Sequence, residues 1–332
     1  MAVINFISCL LLSACLLVVS NVDALQPQKI YKVGRLSAGS PKDPLTNATY
    51  DAFRGGLRDL GWIEGSTIIL ENRWAGEPSA NAVDLAAELV RLKVDVIVAV
   101  GSPLIQAAKQ ATNAIPIVMS GTGADPVAAG FVASLGRRGR NITGLSMLST
   151  ELSGKRLELL KETVANLGRV AVLRNPKFPA VAIQSKQTEE AAKSLGLQLQ
   201  AWEVRTPEEI DSAFLSMSKA GLSGLVVFSD PVLLERNRAS IITLTRKYRI
   251  PTVYPWRNYV EEGGLASYSA NLLDMHRRAA TYVDKIFKGA KPGELPVEQP
   301  TRFELVINLK TAEQIGLAVP QSVLARADKV IR

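Results

Sequence analysis

Residues 95–131 read DVIVAVGSPLIQAAKQATNAIPIVMSGTGADPVAAGF, and one pattern occurs in them twice. Asp95 to Val100 is a short apolar run, the length of a strand buried on both faces. Gly101-Ser102-Pro103 then turns the chain, and Pro103 suits the start of a helix running to about Thr112. Ile115 to Met119 is a second buried run. Gly121, Thr122 and Gly123 form the next turn, and Asp125 with Pro126 is the signature of a capped helix start. The spacing predicts that this second helix runs from Pro126 to Leu135. Doubly buried strands joined by helices imply a parallel sheet.

The glycine-rich turn is not a phosphate loop. Its Asp125 carboxylate occupies the helix end that an anion would use. The third glycine of a dinucleotide fingerprint and the Lys-Ser/Thr end of a Walker loop are both missing. Two readings stay open, an ordinary capped turn and a polar corner facing a ligand at the carboxyl end of a strand.

The same alternation extends in both directions. Before it come a strand at Tyr31 to Ser37, a helix at Asn47 to Leu60, a strand at Thr67 to Arg73 and a helix at Ala80 to Leu92. The rhythm relaxes over Arg137 to Ser149 and restarts with a helix at Glu151 to Asn166. Strands at Arg169 to Leu173, Leu197 to Val204, Leu225 to Phe228 and Thr252 to Tyr254 follow, with helices at Ala180 to Leu195, Pro207 to Ala220 and Pro231 to Tyr248. The last stretch holds a strand at Gly264 to Ser269, a helix at Leu272 to Lys288, a strand at Phe303 to Asn308 and a short helix at Thr311 to Ile315. These are too few for a third core. The expected organisation is an export signal over 1–24, a first α/β lobe over 25–145, a second over 146–262, and tail segments over 263–332 that complete the lobes and form a hinge.

The chain has 332 residues, 47% of them hydrophobic and 21% charged, which describes a folded globular protein. The formal net charge of +8 is spread out, and its densest cluster is GRRGR at 136–140. No helix-turn-helix, zinc finger or basic aromatic stripe accompanies it, so nucleic acid is not expected as a partner. The first twenty residues are almost wholly apolar, and at a terminus this favours an export signal. Cleavage after Ala24 is favoured over lipidation of Cys15 in Leu12-Ser13-Ala14-Cys15, an uncleaved membrane anchor is a third alternative, and the expected location is the periplasm. Cys9 and Cys15, the two cysteines, lie in this segment, so a chain cut after Ala24 has no thiol chemistry.

Catalytic constellations are missing as well. The single histidine, His276, falls inside a predicted helix with no orienting partner nearby in sequence. One histidine cannot form a His-based metal cluster. Adjacent carboxylates such as Glu208-Glu209 and Glu261-Glu262 read as solvated charges. The expectation is therefore a protein without cofactor, metal or enzymatic activity.

The strand ends instead form a coherent set. They carry Ser37, Ser102 and Thr122 in the first lobe, and Asn175, Ser229 and Asp230 in the second. Small hydroxyl and amide side chains can bond a ligand without filling the pocket, although ordinary turns use the same residues. Asp125 and Asp230 both precede proline and read as matching helix caps. YPWRNY at 254–259 adds Trp256, able to stack on an aromatic ligand or to plug an interlobe contact. Its Arg257 either holds a carboxylate or faces solvent. Tyr268 is a further candidate at a strand end.

VGRLSAGSP at 33–41, AFRGGLRDLGWIEG at 52–65, DVIVAVGSPLIQAAKQAT at 95–112, ADPVAAGFVASLGRRGRNITGLS at 124–146, KRLELLKE at 155–162 and FELVINLKTAEQIGLAVP at 303–320 together resemble the tryptophan/tyrosine-type ABC transporter substrate-binding proteins. The resemblance implies a two-lobed type I periplasmic-binding fold, each lobe a parallel sheet flanked by helices, with ligand enclosed in a cleft between them. It implies a monomer that docks on a membrane permease whose separate ATPase supplies energy. By resemblance, Ser37, Ser102, Thr122, Asp125 and Thr143 are pocket candidates from the first lobe, and Asn175, Ser229, Asp230 and Trp256 from the second. An aromatic amino acid or aromatic carboxylate is the expected solute. A branched-chain amino acid or another small carboxylate is the near alternative, and a ligand-sensing protein or an α/β enzyme the more distant one.

Overall fold

A computed structural model describes residues 29–332, except 77–80, 123–124, 137–139, 148–151, 179 and 231–232. Cys9, Cys15, Ala24, Gly123, Pro231 and most of the basic cluster at 136–140 lie outside the described residues.

The first sheet contains β1 (Tyr31–Ser37), β2 (Ile68–Trp74), β3 (Val96–Ala99), β4 (Ile117–Thr122), β5 (Ile142–Ser146) and β11 (Val297–Glu298), in the order β11-β5-β4-β3-β1-β2. Every pairing in it is parallel. Its helices are α1 (Pro44–Asp59), α2 (Ala82–Arg91), α3 (Ser102–Ala111) and α9 (Leu272–Phe287). The central strand shows why the element forms. All four residues of β3 are buried, and they alternate between two cores. Val96 and Val98 pack with Phe53, Leu57 and Ala279 under α1 and α9. Ile97 and Ala99 pack with Leu89, Leu104 and Ala108 under α2 and α3. Burying each large apolar side chain contributes about 1.5–3 kcal/mol. Gly56 lets α1 and α9 approach closely, because a Cβ there would lie 2.4 Å from Arg277 O.

The second sheet has the order β13-β12-β10-β9-β8-β6-β7. It is built from β6 (Arg169–Arg174), β7 (Gln198–Glu203), β8 (Gly224–Val227), β9 (Thr252–Tyr254), β10 (Ala266–Ala270), β12 (Phe303–Asn308) and β13 (Lys329–Ile331). It is parallel apart from the β10–β12 pair. Around it lie α4 (Ser153–Thr163), α5 (Val181–Leu195), α6 (Glu208–Lys219), α7 (Arg238–Lys247), α8 (Arg257–Glu261), α10 (Leu309–Gln314) and α11 (Gln321–Leu324). Again the strands serve two cores: Val226 packs with Leu157 and Leu160, and Leu225 and Val227 with Phe214 and Ile241.

The chain passes between the sheets three times, after β5, after β10 and after β11. Each passage leaves the carboxyl end of a parallel strand. Two of them are tied together where Asn271 N–H donates to Arg302 O at 3.1 Å. The carboxyl edges of both sheets therefore meet at one hinge.

The predicted helix over Pro126 to Leu135 does not form. Ala129 N–H bonds Asp125 O and Phe131 N–H bonds Pro126 O, a turn that goes no further. Gly130 follows at φ 67°, and Phe131 and Val132 insert into the first core. In the second lobe α7 begins at Arg238, later than the expected helix start at Pro231. Among the described residues no helix is long and apolar enough to cross a membrane.

Candidate functional site

On the first lobe, β1 ends at buried Ser37, whose hydroxyl donates to Ala38 O at 3.1 Å. Asp43 then caps α1, accepting from Thr46 N–H at 2.9 Å. Burial opposes ionisation there. Hydrogen bonds from Thr46 and Leu45 outweigh it and hold the Asp43 carboxyl below its ordinary range, helped by Arg238 of the second lobe. Gly101, at φ 87°, turns the chain into α3 and donates its N–H to Gly121 O at 3.0 Å. This brings the ends of β3 and β4 together. Ser102 Oγ and Thr122 Oγ1 share a hydrogen bond of 2.8 Å, and Thr122 is fully buried. Asp125 Oδ1 accepts from Val127 N–H at 2.8 Å and Ala128 N–H at 3.3 Å, so it caps its turn. Thr143 sits apart from this group. It is fully buried on β5, and its hydroxyl donates to Leu295 O at 3.1 Å, on the approach to β11.

On the second lobe, Asn175 Nδ2 donates to Asp230 Oδ2 at 2.8 Å, joining the ends of β6 and β8. Asp230 Oδ1 accepts from Leu233 N–H at 3.0 Å, which closes a turn and does not cap the expected helix, since α7 starts only at Arg238. Buried Gln184 fixes the intervening Ser229 through its backbone. Half-buried Trp256 stands immediately before α8 and packs on the core that contains Phe214 and Tyr254. Arg257 is engaged by Glu261 at 2.9 Å and by Glu304 at 3.1 Å. Tyr268 stacks on Phe303 with ring centroids 5.8 Å apart.

Two buried arginines, Arg156 and Arg35, were not singled out from sequence, and His276, read there as a lone helix residue, is buried beside one of them. Arg156 is fully buried, donating from Nε to Tyr268 O at 3.0 Å and from Nη2 to Pro255 O at 3.4 Å, and burial pushes it down to about 9. It thus ties the loop before Trp256 to the strand bearing Tyr268. His276 Nδ1 lies 2.6 Å from Ser120 Oγ, and burial followed by the charge of Arg35 pushes the imidazole down to about 3. Arg35 is 1% exposed, and burial pushes it down to about 10. It shares one face of β1 with Val33 and Ser37, and β1 is buried on both faces.

Two carboxyl edges thus face each other across a hinge, each lined with small polar side chains. Residues 42–331 match the family described as ABC transporter substrate binding protein. The chain belongs to that family. The tyrosine-binding protein of Clostridioides difficile (strain R20291) is 26% identical over 275 residues, which is 82% of this chain and 78% of that one. A conserved domain protein from Vibrio cholerae O1 biovar eltor str. N16961 superposes with a TM-score of 0.79 at 29% identity, covering 91% of this chain and all, 100%, of that one. An ABC domain from Streptococcus pneumoniae, solved in complex with L-Trp, superposes equally well with a TM-score of 0.79 at 24% identity, over 91% and 100% of the two chains. The fold is the type I periplasmic-binding fold, and the family is extracytoplasmic and takes small-molecule solutes for ABC transporters. Among the described residues no His, Cys, Asp or Glu cluster is arranged to hold a metal.

Proposed function

We propose that this substrate-binding protein captures an aromatic amino acid, or a closely related aromatic carboxylate, by closing its lobes around it. The observation that carries the reading is the pairing of two kinds of wall at the hinge. The first lobe offers Ser37, Ser102, Thr122 and Asp125, and the second offers Asn175, Ser229 and Asp230 with Trp256 as an aromatic surface. Polar groups that fix orientation beside one aromatic face suit a small amphipathic molecule. The tyrosine-binding relative supports the same solute class.

In this reading contacts made only in the closed state shift the open–closed equilibrium. No step of turnover is involved. The closed form docks on a membrane permease, and a separate ATPase drives transport. Residues 1–24 direct export, and the protein acts as a monomer.

Titration calorimetry with L-tyrosine, L-tryptophan, L-phenylalanine and L-leucine tests the reading. Micromolar or tighter binding of an aromatic member, with leucine much weaker, is expected. Preference for leucine would replace the aromatic reading with a branched-chain one.

A further inference from the structure

Among the described residues, Arg35 is a buried cation without a counter-charge. Nη2 makes one long contact, 3.4 Å, to Thr49 Oγ1, and Nε and Nη1 have no hydrogen-bond partner. Its guanidinium carbon lies 5.5 Å from the Tyr50 ring centroid, and among the described residues no carboxylate pairs with it. A buried charge left unpaired is strongly destabilising, and such a group calls for a partner that arrives from outside the chain.

Its place in the sheet indicates what that partner is. Arg35 points to the same face of β1 as Ser37, two residues from the carboxyl edge, which is roughly 7 Å along the strand. An arginine side chain covers that distance. Its register partner on β2 is Asn72, which faces the same way and whose Oδ1 is also buried and unpartnered. The planar guanidinium fork matches a carboxylate in shape and charge.

We propose that Arg35 is the carboxylate anchor of the solute site, taking the acidic group of the ligand on the first lobe while Trp256 covers its apolar part from the second. This rests on the aromatic-solute reading above. It adds what that reading leaves open: one residue, Arg35, accounts for the preference for an acid.

The test compares L-tyrosine, 4-hydroxyphenylacetate and tyramine on wild-type protein, Arg35→Met and Arg35→Gln. Wild type should bind the two acids roughly a hundredfold more tightly than the amine, and both variants should lose that preference. Arg35→Met should fold with unreduced stability, because it replaces an unpaired charge by an apolar chain of similar length. A variant that keeps the acid preference, or wild type that binds tyramine as well as tyrosine, would overturn the anchor and leave the aromatic reading standing. The wild-type comparison decides this even if neither variant folds. Wild type that binds none of the three aromatics would overturn the reading instead. The anchor is then decided by acetate and L-leucine: stabilisation of wild type but not of the variants upholds it, and equal or no stabilisation overturns it.

Discussion

Gln184 holds Ser229 by both sides of its backbone: Oε1 accepts from Ser229 N–H at 2.7 Å, and Nε2 donates to Ser229 O at 2.9 Å. The amide comes from α5 and is fully buried, so a helix as well as the neighbouring strand β6 pins the carboxyl end of β8. Gln184→Met leaves both Ser229 groups without these partners and should cost about 2–4 kcal/mol in urea unfolding. The exposed Glu189→Ala on the same helix should change stability by less than about 0.5 kcal/mol.

Arg156 lies on α4, which packs beside α5 on the same face of the second sheet. Two of its carbonyl acceptors, Tyr268 O and Pro255 O, belong to β10 and to the loop before Trp256. Arg156→Met should destabilise the fold by about 2–4 kcal/mol and weaken the aromatic solute, with Arg156→Lys recovering part of both. Loss of stability with unchanged affinity would show that the clamp does not position Trp256.

Trp256→Ala should weaken an aromatic solute roughly tenfold or more, with stability little changed because the ring is only partly buried. Calorimetry on the folded variant checks this. An aliphatic solute should lose much less. Equal affinity for the aromatic solute would make Trp256 a packing residue of the second lobe.

His276 makes stability depend on pH. Burial and Arg35 push its imidazole down to about 3, whereas an unfolded histidine titrates near 6.5. Below about pH 6.5 the unfolded state takes up a proton that the folded state refuses. The stabilisation is therefore complete above that pH and is lost as pH falls toward about 3. Between pH 7 and pH 4.5 the wild type should lose about 2–3 kcal/mol more than His276→Gln. Parallel pH profiles would mean that the imidazole protonates in the folded state.

Some of this was open to inspection in the chain and some was not, for physical reasons. Val96–Ala99 is buried at every position, so an unbroken apolar run marks it without any partner being known. Lys329–Ile331 is short and partly exposed, so β13 left no pattern to read. Asp125 and Pro126 carry a true start signal, but a start signal says nothing of how far the turn continues, and Gly130 ends it. The site divides the same way. Ser102 and Thr122 stand at strand ends that the βα alternation locates, and they do meet. Arg156 sits in a helix whose charges look solvated, and its partners are 112 and 99 residues away in the chain, so its burial follows from tertiary packing alone. Gln184 reads as one more polar helix residue until α5 is laid against β8.

Closure of two lobes around an unaltered solute is the central claim, and small-angle X-ray scattering with and without saturating L-tyrosine tests it most directly. A smaller radius of gyration in the bound state, with tyrosine recovered chemically unchanged, is the predicted result. Bound tyrosine with no change in dimensions, or its conversion to another compound, would contradict the account.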